Sequence, residues 1–240
     1  MGGRSNIRTV AVLVVLMAAV FGCAPAHYRI HPDFEPRVEK IGAIGLATPD
    51  VKIYSLSAGG GQELRDDWSA EGRKAVTDAV VAYFKRRHVT VKPVQPKNSA
   101  AEMDDLQALY RAVSSSVLDH TYSDTERFPS KMARFEYTVG SVDKVLAGSG
   151  AQGLIIIYAF DEISTGGRKA LKVLTSPLSL ITGVKPRSGY SAMTAALVDP
   201  SGNVLWYNIQ GNEGGYDLRD PGSAASFVDR LLDGLPRWKS

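Results

Sequence analysis

Hydrophobic positions along this chain change period several times, and each change predicts an element. Val10 to Phe21 is an unbroken apolar run. Ala24 to Val38 has little periodicity and carries Pro25, Pro32 and Pro36, which predicts a tether. Lys40 to Ala47 (KIGAIGLA) predicts a first strand, and Thr48 to Gln62, with Pro49 and Gly59-Gly60-Gly61, a long irregular loop. Asp67 or Ser69 can cap the next element. Val76, Ala79, Val80, Tyr83 and Phe84 then share one side of a helix whose other side carries Lys74, Asp78, Lys85 and Arg86. Basic residues 85–87 close it, where the helix dipole favours positive charge. Val89 to Val94 alternates as a short strand.

A second helix begins near Asn98 or Ser99, with a core stripe of Met103, Leu106, Tyr110, Val113 and Val117. Asp119 to Ser130 is polar and turn-rich, Phe135 to Val139 is ambiguous, and Ser141 to Ala147 predicts a short helix closed by Gly148-Ser149-Gly150. Leu154 to Phe160 (LIIIYAF) is apolar on both faces, as a strand covered by helices should be. Lys169 to Leu174 offers a further strand. Tyr190 to Val198 and Val204 to Ile209 flank Asp199-Pro200-Ser201-Gly202-Asn203, a turn composition that predicts an antiparallel hairpin. Simple alternation places Leu205 with Tyr207 and Trp206 with Asn208. A last helix starts near Pro221 or Ser223 and carries Phe227, Val228, Leu231, Leu232 and Leu235. The fold class expected is α/β: a mixed sheet in a two-layer or three-layer-like arrangement with flanking helices, ending in a β-hairpin plus helix.

The N-terminal run changes the picture. Arg4 and Arg8 precede it without an acid, and at twelve residues it falls short of the roughly 20 needed to span hydrocarbon. These are the features of an export signal. The run stops at Val20-Phe21-Gly22-Cys23, which resembles the bacterial lipobox, although Phe21 is bulkier than the usual residue there. Cys23 is the sole cysteine, so no disulfide can form within the chain. The resemblance implies cleavage before Cys23 and several acyl chains on it. Ala24 in place of Asp after the cysteine implies the outer membrane, periplasmic face. The organisation expected is a signal over 1–22, a lipidated cysteine and tether over 23–39, and one periplasmic domain over 40–240. The formal net charge of +3 includes Arg4 and Arg8, so it is no footprint of nucleic-acid binding.

Two later segments carry a second resemblance: Gly150-Ala151-Gln152-Gly153-Leu154-Ile155-Ile156-Ile157, and Ala195-Ala196-Leu197-Val198-Asp199-Pro200-Ser201-Gly202-Asn203-Val204-Leu205-Trp206. With the lipobox and a βαβ start they resemble a class of bacterial envelope lipoproteins. It includes the curli-secretion-channel lipoprotein, the peptidoglycan-synthase activator lipoproteins and the N-terminal domain of the Tol propeller protein. Gln152 stands where the class commonly has Asp. The resemblance implies a non-enzymatic part of an envelope machine and brings no catalytic residue with it.

Candidate chemistry is sparse. There is no Gly-x-Ser-x-Gly elbow, and Gly59-Gly60-Gly61 lacks the Lys-Ser or Lys-Thr of a phosphate loop. His27 and His31 read as surface residues of the tether, and Asp119-His120 with Asp124 as a cluster at a helix end. Asp161-Glu162 follows the central strand, where α/β sites commonly lie, and supplies the alternative reading: an enzyme acting on cell wall or glycan. Leu174 to Val184 (LTSPLSLITGV) is apolar and broken by Pro177 and Gly183. As a loop it caps the core; if exposed it offers Leu178, Leu180 and Ile181 to a partner. The leading expectation is a lipid-anchored protein that supports or assembles an envelope complex of secretion, transport or wall machinery. Its partners would be the membrane, through acyl chains on Cys23, and envelope proteins, with self-association left open. No catalytic residue, metal or cofactor is expected.

Overall fold

The apolar run expected as the central strand becomes β6, Gly153–Ser164, and the other elements are arranged around it. The computed structural model describes residues 27–57, 61–94, 100–164, 189–212 and 215–236. On one side of β6, β7 (Ser191–Val198) and β8 (Val204–Asn212) follow in antiparallel order, and β1 (Arg29–Ile30) pairs antiparallel with β8. On the other side two strands share the edge of β6 in tandem. β2 (Ile44–Ala47) runs parallel to its first half, Ile44 opposite Gly153, and β3 (Asp50–Leu56) parallel to its second, Asp50 opposite Tyr158. Thr48 and Pro49 separate the pair. Proline has no N–H to give a ladder, and Gln107 donates to the Thr48 carbonyl from outside the sheet at 2.8 Å. β5 (Val91–Val94) extends β2 in parallel, and β4 (Gln62–Leu64) extends β3 in antiparallel.

Helices cover both faces: α1 (Phe34–Val38), α2 (Asp66–Arg86), α3 (Ala100–Thr121), α4 (Pro129–Ala133), α5 (Asp143–Leu146) and α6 (Pro221–Leu232). Alternation along β6 divides the core. Ile155, Ile157 and Ala159 join the cluster under α1, α2 and α6, while Leu154 and Ile156 join the one under α3 and α5. All five are buried, each large one contributing roughly 1.5–3 kcal/mol. The mixed α/β class and its C-terminal hairpin and helix are as the pattern implied. Met103, Leu106, Tyr110 and Val117 are buried with Val113 packed beside them, and the five apolar residues expected on the last helix are buried under it. Gly148 and Gly150 take φ +77° and +69° after α5, the left-handed geometry expected there.

Three local readings differ. Thr48 to Gln62 is not one loop, because β3 runs through it with Val51 and Ile53 fully buried. Gly72 lets α2 settle there: a Cβ at that position would lie 2.7 Å from Ile53 Cδ1. Residues 29–38 belong to the folded domain, since β1 is in the sheet and Phe34 and Val38 are buried. Pro36 is compatible with α1 because the first turn of a helix makes no N–H bond within it. Leu205 does not share a face with Tyr207. An irregularity between Leu197 and Val198 shifts the register, so that Leu205 and Trp206 both join the core beneath α6 and Tyr207 turns to α3. Trp206 and Asn208 do share a face, as alternation implied.

The turn over 199–203 forms as its composition predicts. Asp199 accepts the Asn203 backbone N–H at 2.9 Å, and Gly202 has φ +84°. A Cβ at Gly202 would lie 1.7 Å from the Gly140 carbonyl oxygen, so this position must be glycine on two counts.

Candidate functional site

The carboxylates at the end of β6 are a natural first place to look for chemistry. Asp161 is fully buried. One carboxylate oxygen accepts the Ser191 hydroxyl at 2.7 Å and the other the Leu218 backbone N–H at 3.0 Å. Burial pushes its carboxyl up to about 6, against those two bonds, which favour the anion. Glu162 is the next residue on the strand and so points to the opposite face, where Gln62 of β4 donates to it. Two carboxyls that act on one glycosidic bond must face a common cleft. This pair is split by the sheet, and Asp161 works as a latch.

The latch holds the segment before α6. Arg219 pairs with Asp217 at 2.7 Å, and its guanidinium lies 4.2 Å from the Trp68 ring, with Arg65 4.4 Å from the same ring. Leu218, between Asp217 and Arg219, is thereby brought under Asp161. Because the folded pKa lies above that of an ordinary aspartate, the unfolded chain gives up its proton first as pH rises. Wild type should therefore lose stability between about pH 4 and pH 6, by as much as about 3 kcal/mol from this group. Asp161→Asn keeps an acceptor for Leu218 and a polar partner for Ser191 without the charge. It is expected to be more stable than wild type at pH 7 by up to that amount and equal near pH 4. Urea unfolding at the two pH values checks this; a difference that does not change with pH would refute the latch.

The histidines divide. His27 is exposed, but His31 is buried, contrary to its reading as a surface residue. Its Nδ1 accepts the Asp33 backbone N–H at 3.0 Å, and burial, helped by Arg37, lowers its pKa and favours the neutral ring. His120 is half-buried, with Nδ1 3.2 Å from the Tyr137 hydroxyl and its ring edge-on to Phe128. Among the described residues no group of three His, Cys, Asp or Glu is placed to hold a metal. Cys23, Leu178, Leu180 and Ile181 lie outside the described residues, as does the strand expected over 169–174.

Two arrangements escaped the pattern. Between α3 and the sheet, Tyr110 donates to Thr194 at 3.0 Å, and Ser114 and the Tyr207 hydroxyl lie 2.6 Å apart. Burial raises both tyrosine pKa values, so the network remains a set of neutral hydroxyls. The second lies at the end of α6, where helical carbonyls lack partners within the helix. Asn208 donates to the Leu231 carbonyl at 2.7 Å, Tyr83 to Leu232, Trp206 Nε1 to Gly234 at 3.1 Å and Arg87 to Leu235 at 3.2 Å. Tyr28 fills the space over Gly234, where a Cβ would meet its ring at 2.3 Å. The chain leading from Cys23 therefore reaches the domain beside the end of α6. No sequence period marks either arrangement, since both join residues far apart in the chain.

Beside Gly234 lies a cavity of about 240 Å³. Phe84, Val89, Leu235 and Pro236 form its apolar floor, and Arg86, Arg87 and His88 its rim. His88 has φ +60°, a left-handed conformation that glycine usually fills after a helix.

No family model matches the chain, and no curated protein matches it. Among solved structures, the LpoB C-terminal domain from Salmonella enterica is similar at 12% identity and a TM-score of 0.27, over 75% of this chain and 95% of that one. A likeness at that level transfers neither architecture nor role.

Proposed function

We propose that the chain is a non-enzymatic lipoprotein held on the periplasmic face of the outer membrane by acyl chains on Cys23, where it supports or assembles an envelope complex through protein contacts. The observation that carries this reading is the sole cysteine standing at the end of a basic-then-apolar leader too short to span a bilayer. Further support comes from the carboxylates nearest to an acid–base pair, which lie on opposite faces of β6 with one sealed inside. No helix among the described residues is long and apolar enough to cross a membrane.

The proposed partner contact is Leu178, Leu180 and Ile181, on an apolar segment interrupted by Pro177 and Gly183. Crosslinking in intact cells, with mass spectrometry of what is captured, tests it. Wild type is expected to capture specific envelope proteins that a folded Leu178/Leu180/Ile181→Ser variant loses. Equal capture by both would remove this segment as the interface.

A further inference from the structure

The cavity at the end of α2 lies beside the point where the chain from Cys23 enters the domain. Five residue steps separate Cys23 from Tyr28, a reach of at most about 18 Å when fully extended. A domain of this length has a radius of gyration of about 16 Å, so the face opposite Tyr28 is held away from the leaflet that carries the anchor and the side around Tyr28 lies toward it. Tyr28 packs on Gly234; the next residue, Leu235, accepts from Arg87 and forms part of the cavity floor. Arg87 also lies 4.4 Å from the Tyr83 ring, which keeps its guanidinium at the rim.

Resting on the lipid-anchor reading, we propose that this cavity seats the headgroup of an anionic phospholipid, with Arg87, His88 and the neighbouring Lys85 toward the phosphate and the apolar floor toward the glycerol end. The charge balance favours a single seated headgroup over a broad polybasic attraction. Among the described residues, Asp229 pairs with Arg86 and Asp233 is exposed at the end of α6, so these residues give the face only a small net positive charge. His88 supplies an independent argument. Glycine would adopt φ +60° without strain, yet the chain places an imidazole there, on the rim of the cavity.

The test uses the full acylated protein in phosphatidylcholine vesicles with and without phosphatidylglycerol. Cys23 is blocked by lipid and no other cysteine exists, so Thr90→Cys places one fluorophore beside the cavity and Glu63→Cys one on β4, on the same flank of β6 but at the opposite end of that strand. A quencher at headgroup depth is expected to reach the label at 90 and not the label at 63, and to reach it more when phosphatidylglycerol is present. Lys85→Gln should lower the seated population about fivefold, the worth of one cation at a lipid surface. His88→Gly should lower it too, with a Tm equal to or above that of wild type, which a purely structural histidine would not do. Equal quenching at 90 and 63, or quenching at 90 that ignores phosphatidylglycerol, overturns the headgroup seat while leaving the anchor intact. Mass spectrometry of Cys23 separates the two readings: an unacylated cysteine overturns the anchor and this inference with it.

Discussion

Replacing Cys23 with serine is expected to abolish fatty-acid incorporation and to leave the chain uncleaved, with the lipid anchor lost. The term removed is large. Each buried CH₂ contributes about 0.8 kcal/mol, so one acyl chain binds reversibly while two or more hold firmly. In the proposed lipoprotein the lipid is carried on the Cys23 sulfur; serine offers an oxygen there, and cleavage before residue 23 should fail with it. The variant should therefore run at the size of the unprocessed chain and lack incorporated fatty acid. Fractionation of envelopes with a salt wash, combined with fatty-acid labelling, reads both. A Cys23→Ser protein that still incorporates fatty acid, or that is cleaved like wild type, would overturn the lipidated cysteine; an unprocessed one that resists the wash is held by the retained Val10–Phe21 run. Among the described residues nothing supplies a comparable apolar area: the exposed large hydrophobic residues are Leu64, Leu109, Phe128 and Met132.

The largest effect on stability is expected at Trp206. Its side chain is fully buried beneath α6, in the cluster with Phe227, Val228 and Leu231, and its indole N–H satisfies the Gly234 carbonyl. Trp206→Ala removes the largest side chain of that core and leaves a cavity the helix cannot fill without abandoning Tyr83, Asn208 and Arg87, which hold neighbouring carbonyls. A loss of about 3–5 kcal/mol is expected, a large share of the stability of a single domain. Trp206→Phe separates the two contributions: it keeps most of the volume but leaves the Gly234 carbonyl without its donor, at about 1–2 kcal/mol. Urea midpoints measure both. An alanine variant that loses less than the phenylalanine variant would show that the indole is not packed as described.

Trp206 also shows where pattern reading succeeds and where it stops. Its place under the last helix follows from the hairpin and the amphipathic stripe, both local signals. That Leu205 shares its side does not follow, because the irregularity opposite Leu197 and Val198 is a property of two strands together. Asp50–Leu56 is a similar case. Val51 and Ile53 alternate with polar residues as a strand should, but Pro49 and the three glycines made a loop the simpler reading. The decisive fact is the free edge that the long β6 leaves beyond β2, which only the assembled sheet contains. Residues 29–38 escaped for the same reason: two residues paired with β8 and one short helix leave no periodic trace.

By itself the sequence determined the types of the main helices and strands, the C-terminal hairpin and its turn, and the cysteine at the end of the leader. Each is written in neighbouring residues, whose spacing and turn chemistry act over a few positions. Tertiary structure alone decided that Asp161 is a buried latch and Glu162 lies across the sheet from it, that His31 is enclosed, and that Tyr28 meets Gly234 beside a cavity rimmed by Arg87 and His88. Those outcomes depend on what packs against a side chain, and burial and hydrogen-bond partners come from segments far away in the chain.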